Sequence, residues 1–243
     1  MFEVCRAGFS AEGNEISYHA LLAGSWVLNH TTRAEEWEVF PFALGFSNHV
    51  SREYQLRGVW VPDVHPATAL EEETDRVGEE DGEEMERQTH AFEGMSMTAA
   101  DFVVLYGDEA HGDCYDAVAT VFFVDTAPNL MRYVETIRHC LREGGLWVNL
   151  GPLLWHFEES GPIGKAEEGD VDGVSKEKRK QEGIGEPGSV ELTDEEVVLL
   201  VEKMGFKIEK HQLRPAETGY IQDPESMLQN MYRVSHWVAR KVS

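Results

Sequence analysis

Residues 116–157 read DAVATVFFVDTAPNLMRYVETIRHCLREGGLWVNLGPLLWHF. The opening run, Ala117 to Val124, is short, apolar and rich in Val and Phe, and it stops at Asp125. Such a run predicts a strand buried on both faces, with Asp125 at its carboxyl end. From Pro128 to Leu141 the apolar residues Leu130, Val134, Ile137 and Leu141 fall on one helical stripe. Pro128 suits the first turn of that helix, where a missing N–H costs nothing. Gly144-Gly145 ends it, and Leu146 to Leu150 predicts a second strand. Strand, helix and strand in about 35 residues make a right-handed βαβ unit of a parallel sheet. Ligands of such sheets bind beyond the carboxyl ends of the strands. Asp125 and the segment Asn149 to His156 are therefore expected on one functional edge.

Working outward, Thr193 to Met204 is a helix with a capping box, Thr193 followed by Glu196, and a stop at Gly205. Phe206 to Lys210 alternates as a strand, Tyr220 to Asn230 reads as loop with a short helix, and Met231 to Lys241 is a final strand. Two strands after the last helix predict an antiparallel, hairpin-like edge. Upstream, Met1 to Ala7 is too short for a whole helix. Gly8 to Glu15 is a short strand ending on an acid. Ser17 caps a helix to Leu28 that offers Leu21, Leu22, Trp26 and Leu28 to a core. Arg33 to Val50 is aromatic and irregular, and Gly58 to Val61 is a further strand. Met95 to Phe102 is an apolar return ending at Asp101. The expected fold class is α/β, Rossmann-like and mostly parallel, in a single domain over residues 1–243 with two polar inserts.

The inserts are residues 67–94 and 158–189. Glu71 to Glu86 holds ten of the 45 acids and one base, Arg76, which reads as a solvated, disordered run. The second insert has seven glycines and the mixed run Lys176 to Lys180, read as a solvated loop over a nuclear-import signal. The formal net charge of −24 argues against nucleic acid and against an anionic membrane surface. No apolar stretch approaches the ~20 residues of a membrane span. Cys5, Cys114 and Cys140 are odd in number and lack CxxC spacing, which fits a reducing cytoplasm or nucleus. Ten scattered histidines with no HExxH motif predict no metal site. The first fifteen residues, broken by Glu3, Arg6, Gly8 and Glu12, carry no signal-peptide pattern.

Three acids end extended segments: Glu15, Asp101 and Asp125. An acid at the end of a strand in a nucleotide-binding sheet accepts hydrogen bonds from ribose hydroxyls. An acid followed by an aromatic, Asp101-Phe102, can hold an adenine amino group and stack on its ring. Jointly these acids favour an adenosine-containing cofactor.

The sequence resembles the carnosine N-methyltransferase family. The resemblance rests on Gly13-Asn14-Glu15, Ser25 to Asn29, Pro62 to Pro66, Ser96 to Phe102, Ala119 to Ala127 and Trp147 to Phe157, and it runs along nearly the whole chain outside the inserts. It implies a seven-stranded class I methyltransferase sheet. It also implies S-adenosylmethionine as cofactor and the histidine imidazole of carnosine, or of a related small peptide, as methyl acceptor. By the same resemblance Glu15 holds the cofactor ribose and Asp101-Phe102 its adenine. Asp125 and His156 contact the substrate imidazole, and Tyr220 and Tyr232 are aromatic walls of the dipeptide site. Asn230 stands where family members can carry a further tyrosine. A homodimer is left open.

The family pattern places a first strand and a glycine-rich loop ahead of the residue that is Met1 here. Their absence is expected to leave two strand edges unpaired, at about 1–3 kcal/mol per unsatisfied buried group, and to weaken cofactor binding. Two other readings stay open. One is a methyltransferase for a different histidine-containing peptide or protein, and the other is a non-catalytic binding module.

Overall fold

The structure, a computed structural model, describes residues 1–70, 94–158, 190–219 and 223–242. Most of both inserts and Tyr220 lie outside the described residues. By compactness the chain divides into two units.

The first unit spans Met1–Ala100 together with Asp223–Leu228. Helix α1 (Phe2–Arg6) leads into strand β1 (Ala11–Glu15) and helix α2 (Tyr18–His30). Ser17 caps α2, its side chain accepting from the Ala20 N–H. Strand β2 (Trp37–Val39), helix α3 (Arg52–Gln55), strand β3 (Val59–Val61) and strand β4 (Met95–Ala99) follow. β1 pairs parallel with β4, Glu15 lying opposite Ala99, and β2 pairs antiparallel with β3. The irregular reading of Arg33 to Val50 thus missed β2, a strand of three residues. The core expected along α2 is not there either: none of its residues is buried. Its apolar residues spread around the helix instead of forming one stripe. Residues 67–70, placed at the start of the acidic insert, belong to a helix that begins at Pro66, and Leu70 is fully buried.

The second unit spans Asp101–Gln222 and Gln229–Ser243. Its described elements are helix α4 (Phe102–Tyr106), strand β5 (Tyr115–Val121), helix α5 (Leu130–Cys140), strand β6 (Leu141–Gly151), helix α6 (Asp194–Lys203), and strands β7 (Phe206–Gly219) and β8 (Met231–Lys241). They form a four-stranded sheet in the order β5-β6-β8-β7. β5 and β6 are parallel, and β8 is antiparallel to both β6 and β7. The last strand therefore sits inside the sheet and β7 forms its edge. The expected α/β class holds, with parallel pairs first and antiparallel strands at the carboxyl end.

One core organises this unit. Leu130, Val134 and Ile137 of α5, and Val197 and Val201 of α6, are buried with Trp147, Trp237, Ala239 and Phe206 of the sheet. Trp147 and Trp237 meet edge to face at 4.6 Å between centroids, a favoured aromatic geometry. Both helices thus lie over one face of the sheet. The other face of β5 is open: Ala117 and Ala119 are exposed, and Val121 is 61% exposed. This corrects the expectation of a strand buried on both faces.

Element ends also differ. β5 stops at Val121, short of Asp125. Pro128 lies outside α5, whose N-cap is Asn129, with its side chain accepting from the Arg132 N–H. An asparagine there satisfies an orphan amide that a proline cannot. β6 starts at Leu141, directly after the helix, with an irregular register until Leu146. The capping box on α6 forms as expected, and Gly205 takes φ +95 beyond its end.

Candidate active site

The site is built by a kink at the end of β5. Phe122 has φ +52, in the left-handed region, and its N–H still donates to the Leu150 carbonyl at 2.9 Å. Gly151 permits this close pass, since a Cβ there would lie 3.2 Å from both the amide nitrogen and the Cα of Phe122. The chain then enters a tight 3₁₀ turn, Val124–Thr126, with Asp125 at its centre. Asp125 is 4% exposed. Its Oδ2 accepts from the Leu154 N–H at 2.8 Å, and its carbonyl accepts from the His156 N–H at 3.1 Å. The turn after β5 and the loop after β6 are thereby joined, as the βαβ topology predicts. The Asp125 carboxylate is oriented by a backbone amide and retains acceptor capacity for a second donor.

The His156 side chain is exposed and makes no hydrogen bond among the described residues. The structure thus brings the two residues together through the backbone, without an imidazole–carboxylate contact. Tyr232, near the start of β8, packs edge to face on Phe122 at 5.5 Å, three residues from Asp125.

Asp101 caps α4, its Oδ1 accepting from the Val104 N–H at 3.0 Å. Phe102 belongs to an aromatic group with Phe123 at 5.3 Å and Tyr133 at 5.6 Å. Phe123 and Tyr133 stack on each other at 4.8 Å. Burial raises the Tyr133 phenol above its ordinary value; a hydrogen bond with Thr126 opposes this, and the charge of Asp101 adds to it. Phe123, Tyr133 and the Leu154 amide were not singled out from sequence. The adjacency of Phe122-Phe123 to Asp125 was the available signal, absorbed by reading the whole run as strand.

Glu15 ends β1 in the first unit. Its Oε1 accepts from the Ile16 N–H at 2.8 Å and the Ser17 N–H at 2.7 Å. Beneath the strand ends of the second unit lies a buried polar chain. Trp147 Nε1–H donates to Thr120 Oγ1 at 2.9 Å, and the Thr120 hydroxyl donates to Asn149 Oδ1 at 2.9 Å. Each buried polar group there has a partner, which fixes the β5–β6 pair. Asn149, part of the expected functional edge, is engaged in this packing. Among the described residues no group of metal-ligating side chains gathers, and no helix is long and apolar enough to cross a membrane.

A parallel β5–α5–β6 unit with an oriented acid beyond its strand ends, an aromatic group beside it and antiparallel last strands is the layout of a class I methyltransferase fold. The chain belongs to the carnosine N-methyltransferase family, whose model matches residues 1–243. It is 36% identical over 239 residues to the carnosine N-methyltransferase of Schizosaccharomyces pombe, covering 98% of this chain and 54% of that protein. It is 33% identical to the Drosophila melanogaster protein carnosine N-methyltransferase unmet, covering 99% of this chain and 42% of that protein. With the Rattus norvegicus carnosine N-methyltransferase the identity is 29%, over 99% of this chain and 48% of that one. The chain spans about half the length of these relatives. A solved methyltransferase from Methanosarcina mazei aligns at a TM-score of 0.35 and 12% identity, over 72% of this chain and 78% of that one.

Proposed function

We propose that this protein transfers a methyl group from S-adenosylmethionine to the histidine imidazole of carnosine, giving anserine, or of a related histidine-containing peptide. The observation that carries this reading is the buried Asp125 carboxylate, held by the Leu154 amide in the same cluster as the His156 backbone.

Neutral imidazole, with an ordinary pKa near ~6.5, is a nucleophile without further activation. What it needs is the correct tautomer and an in-line approach. Asp125 accepts the N–H of the ring nitrogen that does not react, so the other nitrogen presents its lone pair. As the new N–CH₃ bond forms, the ring gains positive charge, and the same carboxylate stabilises it. His156, exposed at the rim, orients the peptide or takes up the departing ring proton. Phe122 and Tyr232 form an aromatic wall beside Asp125.

The cofactor supplies an electrophilic methyl on a sulfonium. The residues present fit its adenosine end chemically. One carboxylate oxygen of Glu15 accepts from the Ile16 and Ser17 amides and one of Asp101 from the Val104 amide, and the second oxygen of each accepts no hydrogen bond among the described residues. Those second oxygens suit ribose hydroxyls and an adenine amino group respectively. Phe102 supplies an aromatic surface.

The test is a labelled-methyl transfer assay over a panel of histidine-containing peptides with wild type and Asp125→Asn. The substitution keeps the shape and removes the charge, so transfer is expected to fall by at least about 100-fold, the scale of losing one oriented electrostatic contact. Unchanged turnover by a folded Asp125→Asn variant would remove the role assigned to Asp125. Transfer to a peptide other than carnosine would select the related-substrate reading, which the Asn230 position favours.

A further inference from the structure

Three aromatic rings of the second unit stand beside the turn that carries Asp125, and helix α5 supplies the fixed one. The α5 stripe Leu130, Val134 and Ile137 is buried in the core, and the Asn129 side chain ties the first turn of the helix through the Arg132 amide. Tyr133 therefore projects from a backbone with little freedom to move. Its ring stacks on Phe123 at 4.8 Å and 19° and meets Phe102 edge to face at 5.6 Å. Phe102 meets Phe123 edge to face as well, at 5.3 Å and 85°. Each ring is thus held by the other two in geometries that aromatic pairs favour.

The phenol adds a polar contact at the far end of the turn. It shares a hydrogen bond with the Thr126 hydroxyl, and Thr126 Oγ1 donates to the Phe123 carbonyl at 2.7 Å. Tyr133 thereby grips Phe123, just before the 3₁₀ turn Val124–Thr126, through its ring, and the last residue of that turn through its oxygen. Asp125 lies between the two grips. The core takes up Val124 and Ala127, but apolar burial is non-directional and does not aim the carboxylate between them.

Aim matters at Asp125. Its carboxylate and its carbonyl are bonded to the Leu154 and His156 amides of one loop, so a rotation of the turn disturbs both bonds together. A misplacement of about 1 Å at a reacting group can cost about 100-fold in rate. We infer that Tyr133 is a positioning residue of the methyl-acceptor site: by clamping Phe123 and Thr126 it holds the turn that aims the Asp125 carboxylate. It acts through Asp125, and the inference rests on the acceptor role proposed for that residue above.

The experiment uses the full chain with Tyr133→Phe, which keeps the stack and removes the oxygen, and with Thr126→Val, which removes the hydroxyl at the other end of the same contact. Two readouts are taken. Residue-resolved hydrogen exchange follows the Leu154 and His156 amides, and transfer kinetics with carnosine are measured for each variant alone and combined with Asp125→Asn. Exchange of the two amides is expected to speed about tenfold in either variant, while the Val134 and Ile137 amides of α5 keep their protection. The kcat is expected to fall about tenfold with KM for carnosine within about twofold, the pattern of an interaction lost in the transition state. In the Asp125→Asn background the same substitutions should cost less than about twofold, since they act through the group already removed. Unchanged exchange in folded variants overturns the clamp. Faster exchange with an unchanged kcat, or an equal loss of kcat in both backgrounds, overturns the positioning role. A wild-type chain that methylates neither carnosine nor any other peptide of the panel overturns the functional reading and the assigned role with it, and the exchange result then decides the clamp alone.

Discussion

Tyr133 carries a cost that pH can expose. Its ring stacks on Phe123 and meets Phe102, and burial lifts its phenol above the ordinary value near ~10. For an acid whose folded pKa is raised, the neutral form is favoured in the folded state. Its contribution to stability is therefore intact below about pH 10 and is lost as pH rises through the folded value. Tyr133→Phe keeps the stack and removes the ionising group. Melting temperatures of wild type and variant should run parallel from about pH 7 to 9 and diverge above about pH 10, with the wild type falling faster. Parallel curves throughout would mean the phenol ionises as readily folded as unfolded. Asp125 makes a different point at this scale. A short apolar run followed by an acid was legible as a strand with Asp125 beyond its carboxyl end, but the positive φ at Phe122 was not. That angle is made possible by the Leu150 hydrogen bond and by the missing Cβ of Gly151, which lie on the neighbouring strand. No property of Phe122 itself announces them.

Elements whose ends are set by local chemistry were read closely. Helix α6 begins at Thr193 because its side chain accepts from the Glu196 N–H while the Glu196 carboxylate accepts from the Thr193 N–H. Those amide and hydroxyl bonds hold the Glu196 carboxyl below its usual range. Thr193→Ala removes the cap and is expected to cost about 1 kcal/mol, read as a lower urea midpoint with an unchanged slope. An unchanged midpoint would show that packing of Val197 and Val201 alone fixes the helix. β8 was likewise legible: Ser235, Trp237 and Ala239 alternate as one buried face along its second half. Elements set by distant partners were not. β2 is three residues long and exists because Trp37 to Val39 meets Val59 to Val61 in register. β7 runs to Gly219, well past the alternation that ends at Lys210, because β8 continues beside it. At the site, the meeting of Asp125 with the His156 loop was visible from strand-end logic, whereas Asp101, read as the end of an extended segment, is the N-cap of α4. The aromatic group of Phe123 and Tyr133 was not visible, because it depends on how α4 and α5 pack.

At the scale of the molecule two tendencies oppose each other. Among the described residues β5 pairs only with β6 and β1 only with β4, so each leaves one edge without a described strand. The β5 edge carries Ala117, Ala119 and Val121 on an exposed face, with no charge between Ala117 and Val121. Uncharged strand edges of this kind pair with other chains. The formal net charge of −24 works against that by repulsion between molecules. Salt separates the two effects, since screening shortens the range of repulsion from about 30 Å at 0.01 M to about 3 Å at 1 M and leaves strand pairing intact. Sedimentation of the wild-type chain should therefore show more association as sodium chloride rises over about that range. Ala119→Lys places a charge on the edge strand and should suppress the association at every salt concentration, with the fold unchanged by circular dichroism. Equal association by wild type and variant would locate the contact elsewhere. Association that falls as salt rises would mean that opposite charges, and not the open edge, bring the chains together.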